Sequence, residues 1–240
     1  MALIPGPYPE IRHVEGGRTM RVVLFGATGM IGQGVLRECL LDPTVETVLT
    51  VGRRATGQPH VKLREVLHAD LFDLTPIEAD LRGLDACFFC LGISSAGRSA
   101  AEYHRITYDL TLAVARTLVA LNPNLTFIYV SGQGTDSTER GRSMWARVKG
   151  KTENDLLALH DKAYMFRPGL VRPMHGARSR TALYRAVYAV VTPLYPVLRA
   201  LLPGSVTTTE HLGRAMLAVA ARGAPKRVLE SREIDALGDS

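Results

Sequence analysis

The stretch Arg21-Val-Val-Leu-Phe-Gly26-Ala-Thr-Gly29-Met-Ile-Gly32 decides the fold of this chain. Its first part is a short apolar run that ends in glycine, which is typical of a buried strand. Three glycines spaced by two residues follow, and Ile31 to Leu41 then repeats apolar positions with the period of a helix. A strand, a glycine turn and a helix in this order make the first half of a βαβ unit.

Similar apolar runs recur up to residue 167 and alternate with helix-patterned segments. Continuous apolar strands separated by helices predict a parallel sheet that is covered on both faces. We therefore predict an α/β fold, a doubly wound parallel Rossmann-type sheet with helices on both faces and a small C-terminal helical cap. The predicted strands are Arg21–Gly26, Glu46–Gly52, Leu63–His68, Asp85–Leu91, Leu125–Ser131 and Ala163–Arg167. The predicted helices are Ile31–Leu41, Ala100–Leu121 and Met144–His160.

We expect a single domain from residue 20 to 240, after a flexible leader, 1–19, that is rich in proline and glycine. Within the domain, about 171–225 is expected to form the cap or substrate part. Leu183 to Leu202 is mostly apolar but contains two prolines, which favours a helical cap. A lid over an apolar substrate, a homodimer face and a contact with a membrane surface remain open for this segment. Thr207-Thr208-Thr209-Glu210 predicts a helix cap and first turn, and this further helix is expected to run to about Ala221.

Composition limits the classes of function. The net charge of +6 suits nucleic acid, anionic lipid or a phosphorylated ligand. No RNA-binding or helix-turn-helix pattern accompanies the basic residues between 140 and 151, so we expect a helix face and cofactor phosphates rather than nucleic acid. Three cysteines and the lack of a secretory signal pattern at the start predict a reducing, cytoplasmic location.

The glycine turn predicts a dinucleotide site. Glycines let the backbone approach a pyrophosphate closely, and the first N–H groups of the following helix hold its charge. The spacing GxxGxxG puts Gly29 nearest the phosphates. The predicted contacts at this turn are Gly26, Thr28, Gly29, Met30 and Ile31.

The ends of the next strands predict which dinucleotide binds. NAD-binding proteins usually place an acid after the second strand, whereas NADP-binding proteins place arginine there for the 2′-phosphate. This chain has Arg53 and Arg54 and no acid, so we predict NADP(H) in preference to NAD(H). Two exposed loop arginines are the alternative. Asp70 and Leu71 are expected at the adenine edge, and Leu91 and Gly92 beside the adenosine ribose.

Taken in order, these motifs resemble the short-chain dehydrogenase/reductase superfamily. They are GATGMIG, VGRR, HADLFD, CFFCLGIS, YVSGQGTD, RVKGKTE and FRPGLV, which run from about Arg21 to Val228. The similarity is to the atypical branch that includes Tat-interacting-protein-like and NAD-dependent-epimerase-like bacterial proteins. It implies hydride transfer to or from a small-molecule carbonyl or alcohol. The apolar segment from Leu183 to Leu202 suggests that this substrate is apolar.

The resemblance also implies catalytic positions. Ser131 matches the family's serine, and Lys149 matches the lysine that bonds the nicotinamide ribose. Pro168, Gly169 and Leu170 match the segment that packs on the nicotinamide. The proton-transferring tyrosine belongs four residues before the lysine, where this chain has Trp145. An indole N–H only donates and does not titrate near neutral pH.

Three explanations of Trp145 stay open. The chain is a non-catalytic NADP(H)-binding sensor or regulator; or it is an enzyme with a relocated acid; or the true register differs. The candidates for a relocated acid are Tyr103, Tyr108, Asp136 and His175. Thr107 stands where many relatives carry an asparagine that orders a relay water, which is a second departure from the family pattern.

Two other patterns are set aside. Cys87 and Cys90 lie three apart on a predicted strand and should point to opposite faces, so we expect two core cysteines without a disulfide. The seven histidines show no ligand spacing, and we expect no metal site.

Overall fold

The computed structural model describes residues 19–177 and 204–239. Strands in this part of the chain are β1 Met20–Phe25, β2 Val45–Gly52, β3 Leu63–Leu67, β4 Ala86–Phe89, β5 Thr126–Val130, β6 Ala163–Arg167, β7 Leu170–Arg172, β8 Val206–Thr208 and β9 Val228–Glu230. Seven of them form one parallel sheet in the order β3-β2-β1-β4-β5-β6-β9, and β7 pairs with β8 in a separate parallel sheet. The predicted doubly wound Rossmann-type fold is confirmed.

All six predicted strands are present, with ends that differ by one or two residues. The sequence analysis missed β7, β8 and β9, which have three residues each. Such strands are too short to show a hydrophobic period, and only their pairing partners identify them.

The helices are α1 Met30–Leu41, α2 Ala100–His104, α3 Leu110–Leu121, α4 Met144–Leu159, α5 Thr209–Arg222 and α6 Ser231–Gly238. A 3-10 helix, Thr75–Leu81, precedes β4. None of the helices in the described ranges is long and apolar enough to cross a membrane.

The helix predicted from Ala100 to Leu121 is interrupted by a π-helical turn, Arg105–Asp109. The Thr111 hydroxyl, at the start of α3, donates to the Thr107 carbonyl oxygen of this turn at 2.7 Å. A side-chain bond of this kind competes for the carbonyl with the helical ladder. The Thr107 hydroxyl is buried and has no hydrogen-bond partner among the described residues.

The sheet separates two apolar cores. One lies under α3 and α4 and contains an aromatic row, in which the Phe89 ring centroid is 5.6 Å from that of Phe25 and 6.0 Å from that of Phe127. The other lies under α1, α5 and α6. Cys87 belongs to the first core, whereas Cys90 packs on the second, and both are free thiols as predicted.

Helix α5 packs directly on α1. A Cβ built on Gly34 of α1 would lie 2.4 Å from the Thr209 Cβ, so the absence of a side chain sets this close approach. A Cβ built on Gly213 of α5 would lie 2.7 Å from the Glu38 Cγ of α1. Each helix therefore uses a glycine to make room for a side chain of the other helix.

We expected a cap at about 171–225, and the packing of α5 on α1 shows where part of this range lies. The described part of that range holds β7, β8 and α5, and α5 belongs to the helix layer beside α1. The apolar segment at 183–202 and the leader before Thr19 lie outside the described residues.

We expect Gly34→Ala to destabilise the protein. Alanine gains about 0.5–1 kcal/mol of helix propensity, but overpacking against Thr209 costs about 1–3 kcal/mol. We expect the cost of overpacking to exceed the gain in helix propensity, because the Thr209 Cβ is held at the start of α5 and cannot move away. The free energy of unfolding from urea titration measures this change. Gly204→Ala is the control, because among the described residues a Cβ at Gly204 meets nothing closer than 4.0 Å. Equal stability of the two variants would contradict the prediction.

Candidate active site

The glycine turn between β1 and α1 has no room for side chains. Gly26 has φ +82°, and a Cβ there would lie 2.7 Å from the backbone of Cys90 and Leu91. A Cβ on Gly32 would lie 2.1 Å from the Gly26 carbonyl oxygen. The first turn of α1 therefore rests on the backbone at the carboxyl ends of β1 and β4.

The N-terminus of α1 is arranged to hold an anion. Its N-cap, Gly29, offers no side-chain cap, and no acidic residue stands in the first turn. The Gly29 N–H bonds the Gly26 carbonyl at 2.9 Å, while the N–H groups of Met30, Ile31 and Gly32 lack helical acceptors by their position. These donors and the helix dipole suit a pyrophosphate. The residues at this turn therefore fit a dinucleotide.

Arg53 and Arg54 follow β2 at the same edge of the sheet. Both are exposed, and neither forms an ion pair or side-chain hydrogen bond within the described ranges. The segment between β2 and β3, residues 53–62, contains no Asp or Glu. Two arginines in this setting can turn both guanidinium groups toward a phosphate.

The residues expected around the adenosine have mixed positions. Asp70 is exposed and its Oδ1 accepts the Phe72 N–H at 3.0 Å, while the Leu71 side chain is buried in the core. Leu91 packs on the same core, and Gly92 is exposed. The Leu71 and Leu91 side chains thus serve packing, which leaves their backbone for a ligand.

The segment after β6 is tightly fixed. The Pro168 carbonyl accepts the Gln133 N–H at 2.9 Å, and the Gly169 N–H donates to Ser231 Oγ at 2.7 Å. A Cβ on Gly169 would lie 2.2 Å from the Ser205 carbonyl oxygen, which accepts the Leu170 N–H at 2.8 Å. These hydrogen bonds fix the backbone of the segment that the resemblance places against the nicotinamide.

Ser131 and Lys149 come together, as the resemblance implies. Lys149 Nζ donates to the Ser131 carbonyl oxygen. The Ser131 hydroxyl, however, donates to the Phe166 carbonyl oxygen at 3.1 Å, back into the sheet. Burial lowers the pKa of Lys149 to about 8, and the Glu153 carboxylate opposes this shift. Lys149 therefore loses its proton more readily than an ordinary lysine.

Trp145 stands one turn before Lys149 on α4 and is half-buried. A Cβ on Gly134 would lie 3.4 Å from Trp145 Cη2, so the indole packs on the loop after β5. Lys149 and Ser131, the two positions that the resemblance assigns, are in contact. Trp145 lies four residues before Lys149, where the resemblance expects the phenol.

Two of the candidate acids are tyrosines: one is buried in the core, and the other is hydrogen-bonded to a carboxylate. Tyr103 is buried with 2% of its surface exposed, among the residues of the core. The Tyr108 hydroxyl donates to Asp155 Oδ2 at 2.5 Å, and this bond raises the pKa of Tyr108. Lys151 Nζ lies 4.8 Å from the centroid of the Tyr108 ring. Both phenols are committed to contacts elsewhere.

The other two candidates are also engaged. Asp136 accepts hydrogen bonds from Thr138 and from the Gly141 N–H, which lower the pKa of Asp136. His175 Nε2 lies 2.8 Å from Glu210 Oε2, at the start of α5. Asp136 therefore stabilises its own loop, and His175 pairs with the α1–α5 layer.

Sequence reasoning missed a buried ion pair behind Lys149. Arg167 Nε lies 3.0 and 3.1 Å from the two Glu153 carboxylate oxygens, and Glu153 is fully buried. Arg167 also contacts Glu230 and Ser137. The only signals in the sequence were an arginine that ends a buried strand and a glutamate one turn after Lys149. No cluster of three or more metal-ligating side chains occurs in the described residues.

Comparison with known proteins identifies the family. A model of the NAD dependent epimerase/dehydratase family matches residues 22–141, which is half of the chain. Protein fmp52, mitochondrial, of Emericella nidulans is 26% identical over 157 residues, covering 62% of this chain and 66% of that protein. FMP52-2, mitochondrial, of Scheffersomyces stipitis is 30% identical over 153 residues, covering 62% and 65%. The chain thus spans just under two thirds of these relatives.

The names of both relatives contradict our prediction of a cytoplasmic location, which was wrong. Its basis was a low cysteine count and the lack of a secretory signal pattern. These features distinguish secreted proteins from others but do not distinguish the cytoplasm from an organelle.

Solved structures agree on the fold. The Bordetella bronchiseptica enzyme WbmF in complex with NAD+ superimposes with a TM-score of 0.65 and 20% identity, covering 92% of this chain and 77% of WbmF. At this identity the similarity shows the fold alone. Together with the family match and the ordered motifs, it places the protein in the short-chain dehydrogenase/reductase superfamily. The chain belongs to the NAD dependent epimerase/dehydratase family.

Proposed function

We propose that this protein binds NADP(H) and uses it as an oxidoreductase or epimerase-like enzyme on a small, apolar carbonyl or alcohol. The observation that carries the proposal is the Arg53–Arg54 pair, exposed, without ion pairs to described residues, and placed after β2 beside the α1 turn. WbmF was solved with NAD+. This chain departs from an NAD site by having arginines and no acid at that position.

The roles of the binding residues follow from their positions. The N–H groups at the start of α1 would hold the pyrophosphate, and Arg53 and Arg54 the 2′-phosphate. The backbone of Leu91 and Gly92 would border the adenosine ribose, and that of Pro168 to Leu170 the nicotinamide. When bound, the dinucleotide gives or takes a hydride. The apolar sequence at 183–202 is the basis for an apolar substrate, and homodimer formation remains a prediction.

A second candidate function is a non-catalytic NADP(H) sensor or regulator. Trp145 favours it, because the half-buried indole replaces the only side chain that the family uses to pass the proton. Both candidates require the same dinucleotide site. They differ only in whether a carbonyl is reduced.

We expect wild-type protein to bind NADPH at least about tenfold more tightly than NADH, and Arg53→Ala or Arg54→Ala to weaken NADPH binding about tenfold each. Charge-assisted bonds of about 1.5–3 kcal/mol support this size. NADH binding should change little. Emission from Trp145, the only tryptophan in the chain, reports both titrations.

Arg82→Ala is the control for these titrations, because Arg82 is exposed and pairs with Glu78 away from the glycine turn. Its affinity for NADPH should match that of wild type. Equal wild-type affinity for the two dinucleotides would contradict the assignment of Arg53 and Arg54.

A turnover measurement separates the two candidate functions. We expect the wild-type protein to oxidise NADPH in the presence of benzaldehyde, hexanal or cyclohexanone, which are small and apolar. Loss of NADPH absorbance measures the rate. If wild type binds NADPH without turnover and Trp145→Tyr gains about 100-fold or more, as a restored proton donor would provide, the sensor is the correct function of the natural sequence.

A further inference from the structure

Lys149 occupies a central position at the carboxyl edge of the sheet. Its Nζ donates to the Ser131 carbonyl at the end of β5. A Cβ built on Gly132 would lie 3.7 Å from Lys149 Nζ and 3.9 Å from the Pro168 carbonyl oxygen. The ammonium group therefore stands between the ends of β5 and β6, beside the segment predicted to contact the nicotinamide.

The charged groups around Lys149 leave its Nζ available. Glu153 follows one turn later on α4, but its carboxylate is engaged by Arg167 from β6. Arg167 is in turn paired with Glu230 of β9. Helix α2 packs on α4, and its titratable residue Tyr103 is buried. Glu153 thus stabilises a charge on Lys149 without forming an ion pair with it in the described structure.

The other candidate proton donors are committed elsewhere. Tyr108 bonds Asp155, Asp136 stabilises its own turn, and His175 pairs with Glu210. Trp145 does not titrate near neutral pH. Lys149 is the titratable side chain that combines burial, a position at the ends of β5 and β6, and a pKa of about 8.

We propose that Lys149 itself transfers the proton in the reaction, in place of the phenol that Trp145 replaces. This inference rests on the proposed function. It gives Lys149 a role beyond contact with the ribose, and it explains how hydride transfer proceeds without a tyrosine.

In the reducing direction, the carbonyl carbon receives a hydride with its electron pair from the dinucleotide, and the C=O π pair moves to oxygen. An O–H bond forms as an Nζ–H bond of Lys149 breaks. The products are the alcohol, the oxidised dinucleotide and a neutral amine, which regains its proton from water.

The first test needs no turnover. Lysine labelled with ¹³C at Cε reports the charge on Nζ by NMR, and Lys149→Arg assigns the resonance. We expect Lys149 in the dinucleotide-free protein to titrate near the pH of about 8 that burial imposes. Titration near pH 10.4, the ordinary value for lysine, would overturn the proposal.

The second test is kinetic. With benzaldehyde, hexanal or cyclohexanone and saturating NADPH, Lys149→Met should lower kcat about 100-fold or more, the usual contribution of a proton donor. Wild-type kcat should fall as the pH rises through the pKa of Lys149 in the complex, because reduction requires the protonated amine. The matched control is Lys151→Met, two residues on and paired with Asp155 at 3.0 Å, which should keep wild-type kcat and its pH profile.

The outcomes separate the two proposals. If neither NADPH nor NADH changes Trp145 emission, the proposed function fails. If NADPH binds but wild type turns over none of the three carbonyls, or Lys149→Met keeps kcat within a few-fold, the role of Lys149 is overturned while dinucleotide binding stands. The unfolding midpoint of Lys149→Met and its saturation by NADPH verify that the variant is folded.

Discussion

The backbone contact between Gly26 and Gly32 is the constraint on which the rest of the structure depends. The Gly26 carbonyl lies where a side chain on Gly32 would be, and the Gly26 α-carbon touches the end of β4. This contact fixes where α1 begins and directs its first N–H groups over the edge of the sheet. The same helix then receives α5 through Gly34, so the α1–α5 layer is assembled from one glycine-rich stretch. Side chains at these positions would separate strand from helix and helix from helix.

Most of the sheet could be predicted from the sequence, because its strands are marked by local runs of apolar residues. The runs that became β1, β2, β4, β5 and β6 are buried, and burial selects the apolar residues that make a strand visible in sequence. The π-helical turn was missed, because a competing bond to the Thr107 carbonyl leaves no mark on periodicity. The pair Glu153–Arg167 joins residues 14 apart on a helix and a strand, and only the fold brings them together.

In the candidate site, sequence predicts which residues lie near each other better than it predicts where their side chains point. Residue types at the ends of strands predicted that Gly26 and Arg53 share one edge of the sheet, because parallel strands bring their carboxyl ends together there, whereas Lys149 on α4 was assigned by the family resemblance. The direction of a side chain is decided by its neighbours. The Ser131 hydroxyl turns to Phe166, and Asp70 turns to its own loop, although both follow strands as the pattern requires. Tyr103 and Asp136 were reasonable acids by sequence and became a core residue and a loop cap.

Lys149 shows how one substitution changes the chemistry available to a site. A lysine beside a phenol stabilises the phenolate, whereas a lysine beside an indole has no acid to assist. Burial without a close counter-ion disfavours its charge, and the Glu153–Arg167 pair supplies a partly neutralised carboxylate at one turn's distance. The pKa of this side chain is therefore lower than that of an ordinary lysine.

The short sheet of β7 and β8 has a consequence for how a disturbance spreads through the protein. Leu170–Arg172 and Val206–Thr208 pair in parallel, and the Leu170 N–H donates to the Ser205 carbonyl oxygen at 2.8 Å. Strand β8 leads directly into α5, and the Gly169 N–H donates to Ser231 Oγ at the start of α6 at 2.7 Å. A shift of the segment after β6 would therefore be passed to both helices, so a substitution far from the glycine turn can alter the layer that packs on α1.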